Sequence, residues 1–316
     1  MKAIIIEQYG GLDVLQVAEI DKPVAAADQL LIEVYAAGLN PIDTKIRDGS
    51  MAFRFGKDFP KVLGFDAAGI VRETGPEATK FKPGDAVMVR SDLLTGRACA
   101  EYLAVSETVV AHKPAAMNFQ QAAALPLAGL TALQGLRDDC QLQSGDHILI
   151  IGASGGVGTY AVQIAKAMGA VVTAVCSGKN TELVKSLGAD RVIDYTCEDV
   201  FAAQEPYDCI YDVMGKQRFS EARKILKYTG NFAAAVPSAG VIFAKFIGNK
   251  FRQQKAHFVM CKSSGSDLAL MAEWVEQGKL KSIIDSSYAM EDIVSAHQKL
   301  ETVRARGKLI ITIKEP

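Results

Sequence analysis

The chain contains no C-x-x-C motif. Its six cysteines, Cys99, Cys140, Cys176, Cys197, Cys209 and Cys261, are scattered. That spacing argues against a structural zinc knot and a disulfide framework, and it suits a reducing, cytoplasmic environment. Net charge is also nearly absent, since 35 basic and 36 acidic side chains leave −1. Such a balance gives no global attraction for nucleic acid or an anionic membrane. No apolar run approaches the ~20 residues of a membrane-spanning helix. The longest candidate, Phe232–Gly248, is broken by Pro237 and carries Lys245. The amino-terminal run Met1–Glu7 is too short for a signal peptide. What remains, 49% hydrophobic and 22% charged residues over 316 positions, is ordinary globular composition at a length that favours two domains.

One stretch carries most of the information. Leu149-Ile150-Ile151 runs into Gly152-Ala153-Ser154-Gly155-Gly156-Val157-Gly158, and apolar residues at helical spacing follow from Thr159 to Met168. Strand, glycine turn and helix in that order let backbone N–H groups approach a pyrophosphate at a helix N-terminus. In the G-x-G-x-x-G frame Ala153 takes the first position, and Gly155 and Gly158 take the others. Ala153 adds one methyl group, and Ser154 offers a hydroxyl to a phosphate oxygen.

The residues before this turn read differently from those after it. Short β-rich runs such as Leu30–Ala36, Ala67–Val71, Ala86–Val89 and Glu101–Val105 alternate with turn signals, among them Lys82-Pro83-Gly84-Asp85. They predict a compact β-barrel-like domain. From about Phe119 a helical segment (Gln120–Leu136, with a break at Pro126) leads into alternating strands and helices. Strands are expected near His147–Ile151, Val171–Val175, Arg191–Ile193, Cys209–Val213 and Asn231–Val236. The alternation predicts an α/β, doubly wound parallel sheet. Helices are expected at Ser266–Gln277 and Met290–Glu301, and a last strand, Leu309–Ile313, is expected to return to the first domain. Pro237–Gln254 reads as the least regular segment and as a mobile loop.

A second absence bears on the cofactor. NAD sites place an Asp or Glu at the end of the second strand, about 20 residues past the glycines. Here that place reads Val175-Cys176-Ser177-Gly178-Lys179-Asn180, without a carboxylate. Ser177 and Lys179 suit a 2′-phosphate, so the expected cofactor is NADPH. Tyr195 is expected either beside the adenine and its phosphate or half-buried in the core.

Five segments occur in a fixed order. They are Ala37-Gly38-Leu39-Asn40-Pro41-Ile42-Asp43, Leu63-Gly64-Phe65-Asp66-Ala67-Ala68-Gly69, Lys82-Pro83-Gly84-Asp85, Leu127-Ala128-Gly129-Leu130-Thr131-Ala132 and Gly152 to Gly158. As a set they resemble the medium-chain dehydrogenase/reductase superfamily, over nearly the whole chain. The resemblance implies a Rossmann dinucleotide-binding domain over residues 122–284. A discontinuous GroES-like catalytic domain over 1–121 and 285–316 accompanies it, with the nicotinamide in the cleft between them. Zinc alcohol dehydrogenases of this superfamily carry Cys in the first motif and Gly-His-Glu in the second. This chain has Asn40 and Gly64-Phe65-Asp66. A catalytic zinc takes three protein ligands, and only Asp66 could serve, so no metal site is expected. The chain thus resembles the zinc-free quinone oxidoreductase branch. Asn40–Lys45 and Ser186–Tyr195 look most like enone/alkenal and chloroplast-envelope quinone oxidoreductase-like proteins.

Loss of the Lewis acid disfavours alcohol oxidation and suits hydride transfer to quinones or α,β-unsaturated carbonyls. The resemblance places Asn40 beside the nicotinamide and Thr131 on its other side, with Val213, Gly215 and Val236 lining its pocket. Lys308 is expected to touch a cofactor phosphate or to be an ordinary surface lysine. Lys45 is a candidate to stabilise an enolate oxygen, or else a solvated or Asp43-paired side chain. No histidine is expected to be catalytic. Two alternatives stay open. One is an enoyl-thioester reductase, which needs a basic entry for coenzyme A. The other is a low-turnover NADPH-binding protein that contacts RNA through Lys245, Lys250, Arg252 and Lys255 with Phe246 and Phe251 interleaved. Relatives imply a homodimer joined at a sheet edge, for which Ala256–Cys261 is the β-prone candidate.

Overall fold

The computed structural model describes residues 1–202 and 205–315. Two compact units result. One comprises residues 1–130 with the segment from Lys262 onward, and the other comprises Thr131–Cys261.

The first unit is β-rich. In chain order it begins with β1 (Lys2–Ile6), β2 (Gln16–Glu19), β3 (Gln29–Leu39), α1 (Pro41–Arg47), α2 (Ala52–Phe55), β4 (Lys61–Val62) and β5 (Asp66–Thr74). Then come β6 (Ala86–Arg90), β7 (Tyr102–Ser106), β8 (Val110–His112), α3 (Phe119–Ala124) and the start of α4 (Pro126–Gln134). Pro126 thus begins a second helix rather than kinking a single one, since proline is tolerated in a first helical turn. Strand β3 is the spine. Ten of its eleven residues are buried, and it pairs antiparallel with both β5 and β7.

The second unit holds β9 (His147–Ile151), α5 (Gly156–Ala167), β10 (Val171–Cys176), α6 (Thr181–Ser186), β11 (Arg191–Asp194) and β12 (Tyr207–Asp212). It continues through α7 (Phe219–Ala222), β13 (Leu226–Ala234), α8 (Ala239–Phe246) and β14 (Lys255–Phe258). All six strands run parallel in the order β11-β10-β9-β12-β13-β14. The strand order reverses between β9 and β12, and such a switch point opens a crevice at the C-terminal strand ends where ligands bind.

The chain then returns to the first unit as α9 (Gly265–Glu276), β15 (Ile284–Ala289), α10 (Ile293–Glu301) and β16 (Lys308–Thr312). The helix α9 groups with the first unit because its start lies against β8. A Cβ on Gly265 would sit 2.4 Å from the Val110 carbonyl oxygen. Strand β16 pairs antiparallel with β3, Leu309 opposite Leu39.

One expectation is corrected. Pro237–Gln254 is not an irregular loop, because its first half is the helix α8. The Ser238 side chain caps that helix by accepting from the Val241 N–H, and Val241 and Ala244 form its buried stripe. Composition hid this helix because its exposed face is also apolar, with Phe243 and Phe246 each 62% exposed.

Candidate active site

The glycine turn closes tightly on its own backbone. The N–H groups of Gly152 and Ala153 both donate to the Val175 carbonyl, which ties the end of β9 to the end of β10. A Cβ on Gly158 would lie 2.2 Å from the Gly152 carbonyl oxygen and 2.7 Å from Ala153 backbone atoms. Gly155 is the N-cap of α5, with no side chain to fill the cap. The first-turn N–H groups of a helix have no intrahelical partners and suit a pyrophosphate.

Ser154 and Ser177 are brought together by a residue that the sequence did not mark. The Asn180 Nδ2 donates to both hydroxyl oxygens, at 3.0 and 3.2 Å, while its Oδ1 is buried without a partner. Lys179 is exposed beside them, and Tyr195 is 59% exposed. Asp194 was also missed. It ends β11, and a Cβ on Gly178 would sit 2.3 Å from its Oδ2. Its Oδ1 accepts from the Thr196 N–H and hydroxyl, and these Thr196 bonds hold its carboxyl below the usual range. The signal was its place at the end of the next strand, where a parallel neighbour brings it level with Cys176.

Across the switch point, Asp212 ends β12 fully buried and organises the loop after it. Its Oδ1 accepts from the N–H groups of Met214 and Gly215, and its Oδ2 from that of Gln217. Burial pushes its carboxyl up against these bonds. The loop brings Gly215 onto Val236, since a Cβ at Gly215 (φ +63°) would lie 2.5 Å from the Val236 carbonyl oxygen. A Cβ on Gly152 would lie 2.7 Å from Met214 and 3.8 Å from Val213. The Thr131 carbonyl accepts from the buried Tyr211 hydroxyl at 2.9 Å. Gly152, Val213, Gly215 and Val236 therefore share one crest, and Thr131 joins the same unit under β12.

In the first unit, Asn40 is the centre of a buried charged cluster. It is 3% exposed, Lys308 is also 3%, and Asp43 and Asp66 are 0%. The Asn40 Nδ2 donates to the Gly38 carbonyl at 3.2 Å and to Asp66 Oδ2 at 2.9 Å. Its Oδ1 accepts from the Lys308 ammonium, which also donates to the Leu39 carbonyl and lies 3.4 Å from Asp66 Oδ2. The other Asp66 oxygen accepts from the Leu127 N–H, and Asp43 Oδ2 accepts from the Asn40 N–H. The amide orientation is fixed by charge: a flip would set NH2 against an ammonium and oxygen against a carboxylate. Burial, reinforced by the charge of Asp66, pushes the Asp43 carboxyl up to about 7, although the Asn40 N–H opposes it. Burial also pushes Asp66 up and Lys308 down, each against the charge of the other.

Lys308 is thus neither on the surface nor free, because its ammonium is committed to Asn40, Leu39 and Asp66. Lys45 is half-buried on α1 and forms no ion pair with Asp43 among the described residues. The histidines stand apart. His112 and His147 are exposed, His257 lies 3.8 Å from Asp139, and His297 is fully buried.

Comparison with known proteins matches this architecture. Residues 26–171 match the alcohol dehydrogenase GroES-like domain, and residues 187–311 match a zinc-binding dehydrogenase domain. The chain is 34% identical to a bovine (Bos taurus) mitochondrial NAD(P)H oxidoreductase, RTN4IP1, with 99% of this chain and 89% of that protein covered. It is 36% identical to the tomato (Solanum lycopersicum) 2-methylene-furan-3-one reductase, covering 98% and 79%. The solved quinone oxidoreductase of Coxiella burnetii superposes with a TM-score of 0.91 at 34% identity, covering 99% of each chain. The chain belongs to the medium-chain dehydrogenase/reductase superfamily, within its quinone oxidoreductase branch. It is an oxidoreductase with a Rossmann-type parallel sheet and a separate GroES-like unit.

The second family description implies zinc, and the side chains present do not fit it. No group of three His, Cys, Asp or Glu residues suited to a metal occurs among the described residues. Asp66 is already bonded to Asn40, Leu127 and Lys308. Cys99 is buried, and burial holds its thiol well above the usual range. No helix among the described residues is long and apolar enough to cross a membrane.

Proposed function

We propose that this chain uses NADPH to reduce quinones or α,β-unsaturated carbonyls without a metal ion. The observation that carries this reading is the Asn40–Asp66–Lys308 cluster. The motif positions that hold metal ligands in the zinc enzymes are here closed by an amide and an ammonium–carboxylate pair. A reduced nicotinamide supplies a hydride and so needs an acceptor that is already electrophilic. The acceptor takes that hydride at its β-carbon, its C=C electron pair becomes an enolate, and a proton from water completes the product.

The chain's own residues bind and orient. Gly155, Gly156, Val157 and Gly158 leave room for a pyrophosphate. Ser154 and Ser177 present hydroxyls held by Asn180, and Lys179 offers charge to a 2′-phosphate. Both Asn40 amide hydrogens are taken by Gly38 and Asp66. Its Oδ1 retains one lone pair beyond the Lys308 bond, so toward a ligand this amide accepts, as a carboxamide N–H requires. Negative charge on the acceptor oxygen is left to Lys45, whose ammonium has no carboxylate partner among the described residues. The homodimer through the β14 edge and the cytoplasmic location belong to the same proposal.

NADPH oxidation should be measured with 1,4-quinones, alkenals and enones, with NADH in parallel. Lys179→Ala is expected to lower kcat/KM for NADPH about tenfold, the scale of one lost charge-assisted hydrogen bond, and to leave NADH little changed. Equal use of both coenzymes by the unsubstituted protein would remove the 2′-phosphate assignment.

A further inference from the structure

The second unit carries a basic groove that the hydride-transfer reading does not use. A cavity of about 920 Å³ is lined by Arg223, Lys224, Lys250, Arg252 and Lys255, with no acidic side chain among the described residues of its wall. Lys224 pairs with Glu221, and the Lys255 ammonium donates to the carbonyls of Asn249 and Arg252. Arg223, Lys250 and Arg252 form no ion pair or side-chain hydrogen bond among the described residues. Gathering three such cations costs electrostatic energy in the empty state, and local violations of this kind concentrate at functional sites.

The groove is built rather than incidental. The Gln254 Nε2 donates to the carbonyls of Arg223, Leu226 and Lys227. Asn249 exchanges two hydrogen bonds with the backbone of Ala256. These contacts pin the segment that presents Lys250, Phe251 and Arg252. Two aromatic rings flank the cations, with Tyr228 79% and Phe251 81% exposed. Cations beside open aromatic faces suit a phosphorylated ligand with a planar base.

A second cavity, about 620 Å³, shares Ser220, Arg223 and Arg252 with the first and continues past Arg218 to Gly215. Gly215 lies on the crest with Val236, at the end of β12. The groove therefore runs from that crest between α7 and α8 to the first residues of β13 and β14, where Tyr228 and Lys255 line it, away from Ser177 and Lys179 at the end of β10 on the other half of the sheet. We infer that it holds the phosphorylated nucleotide tail of a substrate whose conjugated carbonyl lies at the Gly215–Val236 end, the chemistry of an enoyl coenzyme A thioester. This inference rests on the reductase reading above.

Two measurements on the full chain test it. Adenosine 3′,5′-bisphosphate is titrated calorimetrically with NADP+ saturating, so that the cofactor site is closed to it. One site is expected, weakened about tenfold or more by Arg223→Gln or Arg252→Gln, as the loss of a charged phosphate contact implies. Crotonyl coenzyme A is then compared with pent-3-en-2-one, which lacks the tail. Arg252→Gln is expected to raise KM for the thioester about tenfold, with kcat unchanged and the enone unaffected. Enone reduction without bisphosphate binding, or binding that ignores both substitutions, overturns the groove assignment alone. Bisphosphate binding with an unchanged thioester KM marks a site for free nucleotides and overturns the tail. A single-stranded oligonucleotide that binds more tightly, with a steep salt slope, overturns it in favour of RNA. Bisphosphate binding with neither acceptor reduced overturns the reaction and not the anion site.

Discussion

Gly158→Ala is expected to abolish NADPH binding and to destabilise the protein by about 3 kcal/mol or more, the upper range of overpacking costs. The added methyl group meets the Gly152 carbonyl oxygen at 2.2 Å and the Ala153 backbone at 2.7 Å. These are main-chain atoms already fixed by hydrogen bonds to Val175, so neither side can yield as a flexible side chain would. Gly155→Ala separates binding from folding. Its Cβ lies 3.6 Å from the nearest such atom, the Gly152 oxygen, which is ordinary contact. The Gly155→Ala protein should melt as the unsubstituted protein does and lose about tenfold in NADPH affinity, read by fluorescence titration. Full affinity in both variants would mean that the cofactor does not use this turn.

Lys308→Met is expected to cost about 3–5 kcal/mol, because it leaves Asp43 and Asp66 buried without their cation. The loss depends on pH in a definite direction. Asp43 has a folded value of about 7 against an ordinary 3.8. Its contribution to stability is therefore complete below pH 3.8 and is lost as pH rises through 7. Removing the ammonium pushes both carboxyls further up. The variant's penalty should be larger at about pH 8.5 than at about pH 5.5, measured by urea unfolding. Lys308→Met combined with Asp66→Asn should recover part of the loss at the higher pH. An equal penalty at both pH values would show that the cluster is held together by packing and not by charge.

These two expectations differ in how far the sequence revealed their origin. The glycine turn is local: strand, turn and helix lie within about twenty consecutive positions, and side-chain periodicity marks both flanks. The parallel sheet was legible for the same reason. The Asn40 cluster is not local. Asp66 is 26 residues from Asn40, and Lys308 is 268. The return of the last strand to the first unit was expected, but the register that sets Leu309 opposite Leu39 depends on three-dimensional pairing. Without that register Lys308 reads as a surface lysine or a phosphate contact. Asn180 and Asp194 were hidden for a related reason, because their roles arise where the ends of neighbouring parallel strands meet. The helix α8 was lost to composition, since apolar residues on both faces blur the amphipathic pattern.

Direct delivery of hydride from a reduced pyridine nucleotide to a conjugated carbon is the step on which the proposed function turns. It is tested by reducing an enone with NADPH deuterated at both C4 positions and locating the label by mass spectrometry and NMR. One deuterium is expected at the β-carbon of a saturated ketone, with solvent hydrogen at the α-carbon. Deuterium on the carbinol carbon of an allylic alcohol, or a product without label, would contradict it.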